Sequence, residues 1–169
     1  MPDAFTELAR KTISVYITTG KEISPPSPLP EGMESRAGVF VSLHKFGRLR
    51  GCIGTFAPMS DSIAQEIINM AIASSTEDPR FPPVTKAELD DIDINVDVLT
   101  EPETINDISE LDPKVYGVIV SLGMRKGLLL PDLEGVDTVA EQLRIARAKA
   151  GIHEGEKVTI KRFKVIRHK

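Results

Sequence analysis

Apolar and polar positions alternate along this chain in two periods, one helical and one of strands. Between residues 3 and 18, Phe5, Leu8, Ala9, Ile13, Tyr16 and Ile17 fall on one helical stripe, and Gly20 is placed to end the helix. A second helix is predicted over 61–75, with Ser62 and Gln65 at capping-box spacing and Ile63, Ile67, Met70 and Ala71 facing inward. A third is predicted over 138–150, opened by Thr138 and Glu141 and closed by Gly151. Val139, Leu143 and Ala146 form its inner face, and Arg144, Arg147 and Lys149 lie toward its C-terminal end, where they suit the helix dipole.

The strands follow the period of two. Residues 38–56 predict a hairpin in which Leu43 faces Leu49, Val41 faces Gly51 and Val39 faces Ile53. That register leaves Lys45-Phe46-Gly47 as a three-residue loop with Gly47 in the left-handed position, sets Ser42 opposite Arg50 and Phe40 opposite Cys52, and places Arg50 on the face of Cys52. Over 92–99, Ile92, Ile94, Val96 and Val98 point inward, and Asp93, Asn95 and Asp97 form a solvated face. A polar loop over 101–116 leads to strands over 116–122 and 126–130, joined by Gly123-Met124-Arg125 and ended by Pro131. A last strand covers 157–166, where the apolar phase shifts between Ile160 and Phe163 and predicts a bulge near Lys161 and Arg162.

Prolines mark two connectors. Residues 24–30 hold four prolines and should run extended, as a stiff covering loop or as a ligand for a proline-recognition module. Glu77-Asp78-Pro79-Arg80-Phe81-Pro82-Pro83 ends the second helix and makes a rigid turn that gathers an acid, an arginine and an aromatic ring. Thr85–Leu89 predicts one short helical turn with Thr85 and Glu88 as a capping box. The element order gives an α+β fold, a mainly antiparallel β-sheet flanked by helices, with no βαβ rhythm and no glycine-rich nucleotide loop.

Composition narrows the functional classes. The length suits one domain spanning 1–169, and 41% apolar with 27% charged residues is the make-up of a soluble globular protein. A net charge of −4 argues against a binder that tracks nucleic-acid backbones. The C-terminal cluster of Lys157, Lys161, Arg162, Lys164, Arg167 and Lys169 reads as a solvated strand edge. A single cysteine leaves no intramolecular disulfide and fits a reducing cytoplasm. Met1-Pro2-Asp3-Ala4 lacks the basic and apolar regions of a signal peptide, and no apolar run is long enough to span a bilayer. A cytoplasmic protein is expected.

Little in the chain promises chemistry. His44, His153 and His168 lack ligand spacing, and side chains on one strand face, such as Asp93, Asn95 and Asp97, cannot surround an ion alone, so no metal or other cofactor is expected. Cys52 is the candidate nucleophile, because a guanidinium such as that of Arg50 would favour its thiolate. The alternative is a buried structural thiol packed beside Phe40. Arg50 and Arg80 are candidate anion binders, or members of internal ion pairs to carboxylates such as Asp78 or Glu77.

Gly38–Leu43, Leu49-Arg50-Gly51-Cys52-Ile53-Gly54-Thr55, Asp78-Pro79-Arg80-Phe81-Pro82-Pro83-Val84, Asp97–Thr100, Gly117–Val120, Gly127–Pro131 and Lys149-Ala150-Gly151 together resemble the AMMECR domain family, from the first helix to the last strand. The resemblance implies an α+β domain in two lobes whose antiparallel sheet carries the 49–54 segment. It also implies a partnership with Memo-like and radical S-adenosylmethionine proteins, and it carries over no catalytic residue. Ala73-Ser74-Ser75-Thr76-Glu77 departs from the family's alanine-rich helix end and predicts fraying there. The leading expectation is a pocket around Arg50, Cys52, Asp78 and Arg80 that takes a small anionic ligand or a partner of that pathway. A Cys52 enzyme and a purely structural or interaction module are the alternatives.

Overall fold

The computed structural model describes residues 3–169, so Met1 and Pro2, on which the reading for a leader partly rests, lie outside the described residues. The chain forms two compact units, one built from residues up to Val98 with Ile166–Lys169, the other from Leu99–Val165. The fold is α+β, with two four-stranded sheets, and of the α-helices among the described residues two belong to the first unit's sequence and one to the second's.

In the first unit α1 (Ala4–Thr19) starts at Asp3, whose carboxylate accepts from the Phe5 and Thr6 N–H groups, and stops at Gly20 at φ 75°. Strands β1 (Val39–Lys45), β2 (Arg48–Gly54), β3 (Ile92–Leu99) and β8 (Val165–His168) make a sheet in the order β2-β1-β3-β8. Its inner face sets Val39, Val41 and Leu43 beside Val98, Val96 and Ile94, and these pack with Leu8, Ala9 and Ile13 of α1 and Ile63, Ile67 and Ile68 of α2 (Ile63–Thr76) into one core. Residues 24–30 form neither helix nor strand, and Ile23 and Leu29 pack against that core.

The second unit holds β4 (Glu103–Thr104), β5 (Gly117–Leu122), β6 (Arg125–Leu129) and β7 (Thr159–Phe163) in the order β4-β7-β5-β6. Against it lies α3 (Val139–Ala150), capped by Thr138 and by Gly151 at φ 68°. Val139 and Leu143 are only partly buried on α3. The fully buried positions are Ala146 and Gln142, and the Gln142 amide donates to the Tyr116 carbonyl at 2.8 Å.

Several expectations are corrected. The first hairpin closes on a two-residue turn, Phe46 at φ 50° and Gly47 at φ 77°, with Lys45 paired to Arg48. Two successive left-handed residues match the right-handed twist of paired strands, so the shorter loop wins over the three-residue one. His44 then faces Leu49 but Leu43 faces Gly51, which leaves Arg50 as an unpaired bulge residue. Beyond the bulge Ser42 pairs with Cys52, and Phe40 with Gly54. Because one inserted residue reverses the phase, Leu49 is not on the inner face with Gly51 and is 40% exposed.

The second hairpin also turns on two residues, Gly123 and Met124, since Leu122 pairs with Arg125. The α2 end does not fray. Ser74, Ser75 and Thr76 are helical, and their hydroxyls donate back to the carbonyls of Ala71 and Ile72. No bulge interrupts the last strand at Lys161 and Arg162: β7 pairs with β5 in unbroken register from Thr159 to Phe163, so Ile160 and Phe163 lie on opposite faces. The strand breaks only afterwards, at Lys164, before β8 in the other sheet. Asp97 is not solvated: it is 2% exposed and takes a two-pronged bond from Arg167 at 2.8 and 3.0 Å.

Candidate functional site

β2 is an edge strand, and the bond pattern of an antiparallel pair leaves every second residue's backbone groups pointing away from the sheet. Cys52 is such a residue. Its N–H donates to Asp78 Oδ2 at 3.0 Å, and its carbonyl accepts from Arg80 Nη2 at 3.3 Å. Two side chains from the loop after α2 therefore occupy the place of a further strand.

The loop is built to deliver them. Pro79 prevents α2 from continuing, and Asp78 folds its carboxylate over the turn to accept from the Arg80 N–H at 3.0 Å. Arg80 returns a fork to the same carboxylate, Nε to Oδ1 at 3.0 Å and Nη2 to Oδ2 at 2.8 Å. Val84 N–H donates to the Ser75 carbonyl at 2.8 Å and ties the far end of the loop to α2. Asp78 is buried, whereas the Arg80 side chain is 54% exposed. The Arg80 fork and the Cys52 N–H hold the Asp78 carboxyl well below the usual carboxylate range.

Arg50 sits in a separate clamp. Its Nε and Nη2 reach Glu88 Oε1 and Oε2 at 3.0 and 3.1 Å, and Nη2 also donates to the Pro83 carbonyl at 3.3 Å. The expected partners Asp78 and Glu77 are not the ones it meets. Glu88 further accepts from Lys45 Nζ at 3.1 Å and from the Thr85 N–H at 2.8 Å. Arg50 first, then Thr85 and Lys45, depress its pKa far below that of a free glutamate. The bulge explains the geometry, because an unpaired residue re-aims its side chain.

The thiol faces Ser42, whose Oγ lies 3.2 Å from Cys52 Sγ. The guanidinium that acts on it is that of Arg80 rather than that of Arg50. Burial outweighs both Ser42 and Arg80 and pushes the Cys52 thiol up, with Asp97 and Asp78 adding to the rise. At neutral pH it is a thiol.

The four residues singled out in the sequence are thus brought to one strand edge, but as two ion pairs flanking Cys52. Glycines make the close packing possible: a Cβ at Gly51 would overlap the Ser74 carbonyl of α2, and one at Gly54 would overlap the Phe40 ring. A cavity of about 430 Å³ opens beside Arg50, lined also by Lys45, Phe46, Arg48 and Leu49. No group of three or more His, Cys, Asp or Glu side chains among the described residues is placed to hold a metal ion. No helix among them is long and apolar enough to cross a membrane.

Sequence reasoning did not find Glu66, which is 1% exposed and accepts from Thr55 Oγ1 and from the Met59 and Ser60 N–H groups, fixing the loop that follows β2. Its signal is positional, a glutamate inside the apolar stripe of α2.

The family model AMMECR1 matches residues 6–168. A Thermotoga maritima protein is 56% identical over 168 residues, covering 98% of this chain and 97% of its own length. A Clostridium acetobutylicum protein is 55% identical over 169 residues, and this chain spans 99% of itself but only 36% of that protein. The crystal structure of an uncharacterized protein from Pyrococcus horikoshii superposes with a TM-score of 0.89 at 35% identity, covering 96% of this chain and 88% of that one.

Proposed function

The chain belongs to the AMMECR1 family, and on that premise we propose that it is a protein-binding module, with the β2 edge around Arg50, Cys52, Asp78 and Arg80 as its working surface. One observation carries this reading. Both backbone groups of Cys52 and the guanidinium forks of Arg50 and Arg80 are already satisfied inside the chain, so the middle of the edge is held in place and those two charges are paired. A surface of that kind presents shape to a partner, whereas a small anion would have to compete with Glu88 and Asp78 for the arginines. A nucleophile would need a thiolate, and the Cys52 thiol is pushed the other way.

The Clostridium relative supports a modular role, since a domain like this one makes up about a third of that protein. The partner class implied by the family resemblance is a Memo-like or a radical S-adenosylmethionine protein.

Co-expression with one protein of each class, followed by size-exclusion chromatography, tests the reading. The wild-type chain should elute in a complex, Cys52→Ser should keep it, and Arg80→Glu should weaken it. Absence of any complex sinks the partner reading. Loss of cellular function in a folded Cys52→Ser chain would instead restore the nucleophile. If Arg50→Lys releases a bound anion that co-purifies with the wild type, the ligand reading replaces both.

A further inference from the structure

We propose that the tip of the β1–β2 hairpin docks an acidic protein segment that carries an apolar side chain. The inference rests on the reading of the chain as a partner-binding module, and it assigns that partner's contact chemistry.

The tip is built against its own stability. A two-residue turn of this hand favours asparagine followed by glycine, because both positions lie in the left-handed region. Here the first position is Phe46, at φ 50° and 76% exposed. A bulky side chain in that region is strained, and an aromatic ring in water gains nothing from folding. A single change to asparagine would relieve both penalties at once. Leu49 is exposed beside it because the two-residue turn pairs it with His44, out of phase with the inward Leu43, and the bulge at Arg50 restores only Gly51 to the inner face. These two side chains and three cations, Lys45, Arg48 and Arg50, line the cavity of about 430 Å³.

Charge selects the occupant. Lys45 and Arg50 share the single carboxylate of Glu88, and Arg48 is exposed with no carboxylate partner among the described residues. Glu88 is thus shared by two cations, and Arg48 adds a third charge that no carboxylate among the described residues holds, so the tip has a cation to offer an acidic partner. The Lys45 ammonium lies 5.9 Å from the centre of the Phe46 ring, so an entering carboxylate meets a cation at the rim of the apolar floor. An acidic segment with a leucine-like or aromatic side chain satisfies both surfaces.

The test is a titration of the isotope-labelled full chain, followed by amide NMR, with short synthetic peptides of alternating Glu-Leu, Glu-Ser and Lys-Leu sequence and with a single-stranded oligonucleotide. The Glu-Leu peptide should shift the amides of residues 45–50 most strongly. Its affinity should fall with added salt and drop about tenfold in Phe46→Asn and in Arg48→Glu. Phe46→Asn should meanwhile raise the thermal midpoint, so the lost binding cannot come from unfolding. Shifts centred elsewhere, or equal affinity in Phe46→Asn, overturn the proposal. Tighter binding of the oligonucleotide or of the Lys-Leu peptide overturns it too, as does self-association of the chain that Phe46→Asn abolishes. If both variants still enter the co-expressed complex, the hairpin site falls while the module reading stands. If the wild type forms no complex yet takes the Glu-Leu peptide at residues 45–50, only the module reading falls.

Discussion

Asp78 reaches across the open edge of β2 and accepts the Cys52 N–H at 3.0 Å, from a position 26 residues further along the chain. The contact ties the loop after α2 to the strand that carries the chain's only cysteine, and Arg80 completes it by donating to the Cys52 carbonyl. An edge strand left bare here would offer its free backbone groups to other chains.

Removing that carboxylate should therefore be costly. Asp78→Ala leaves the Cys52 N–H without its acceptor and Arg80 without its anion, a loss of about 2 kcal/mol. Urea denaturation should show this as a lower midpoint with an unchanged slope.

Asp78 and Glu88 also set the response to acid. Both carboxyls titrate well below their ordinary range in the folded chain. As pH falls, the unfolded chain takes up these protons first, so the stabilisation is complete above about pH 5 and fades below it. The stability of the wild type should drop steeply between about pH 5 and pH 2, and that of the Asp78→Asn, Glu88→Gln double variant should fall less steeply from a lower plateau. An equal slope in the two proteins would contradict the assignment.

The thiol should be slow. With burial pushing the Cys52 pKa up, its reaction with a disulfide reagent at neutral pH should lag behind that of a free cysteine and accelerate only at alkaline pH. Arg80→Gln should slow it further, because a lost guanidinium lets the pKa climb again.

Gly51 and Gly54 separate two kinds of crowding. Gly51→Ala meets the backbone carbonyl of Ser74, which α2 holds in place, and should cost about 3 kcal/mol or prevent folding. Gly54→Ala meets the Phe40 ring at its root, so the whole side chain must swing to another rotamer, and it should be destabilising but less so than a clash with fixed backbone. Thermal midpoints of the two variants decide the order.

Much of this arrangement was legible as sequence. The helix stripes, their caps at Ser62, Thr138, Gly20 and Gly151, and the Thr85–Glu88 turn stand where periodicity and capping chemistry place them. The hairpin register was not, because alternation has the same period on either side of a bulge and cannot show that Arg50 is the inserted residue. That one residue moved Ser42 opposite Cys52 and took Arg50 to Glu88. The ion pairs Arg50–Glu88 and Asp97–Arg167 span 38 and 70 residues, and no local pattern announces a partner at that distance. Asp78 with Arg80 could be read because a proline turn holds them two residues apart.

Glu66 offers the sharpest separation of charge from shape. It is almost fully buried among the isoleucines of α2, and both of its oxygens accept: Oε1 from Thr55 Oγ1 at 3.0 Å, Oε2 from the Met59 and Ser60 N–H groups at 3.0 and 2.9 Å. Glu66→Gln keeps the volume but replaces one acceptor oxygen with an amide that donates. Whichever way the amide turns, either the Thr55 hydroxyl or the paired Met59 and Ser60 N–H groups lose their acceptor. The hydroxyl can rotate to accept instead, since its oxygen also serves the Val39 N–H at 3.2 Å, whereas two backbone N–H groups cannot. The amide should therefore keep its oxygen on residues 59 and 60 and leave the fold intact at a cost of about 1–2 kcal/mol. Glu66→Leu leaves all three donors unpaired and should cost about twice as much. Hydrogen exchange at the Met59 and Ser60 amides should stay slow in the first variant and become fast in the second; fast exchange in both would mean that the negative charge, rather than acceptor geometry, holds the 55–60 loop to α2.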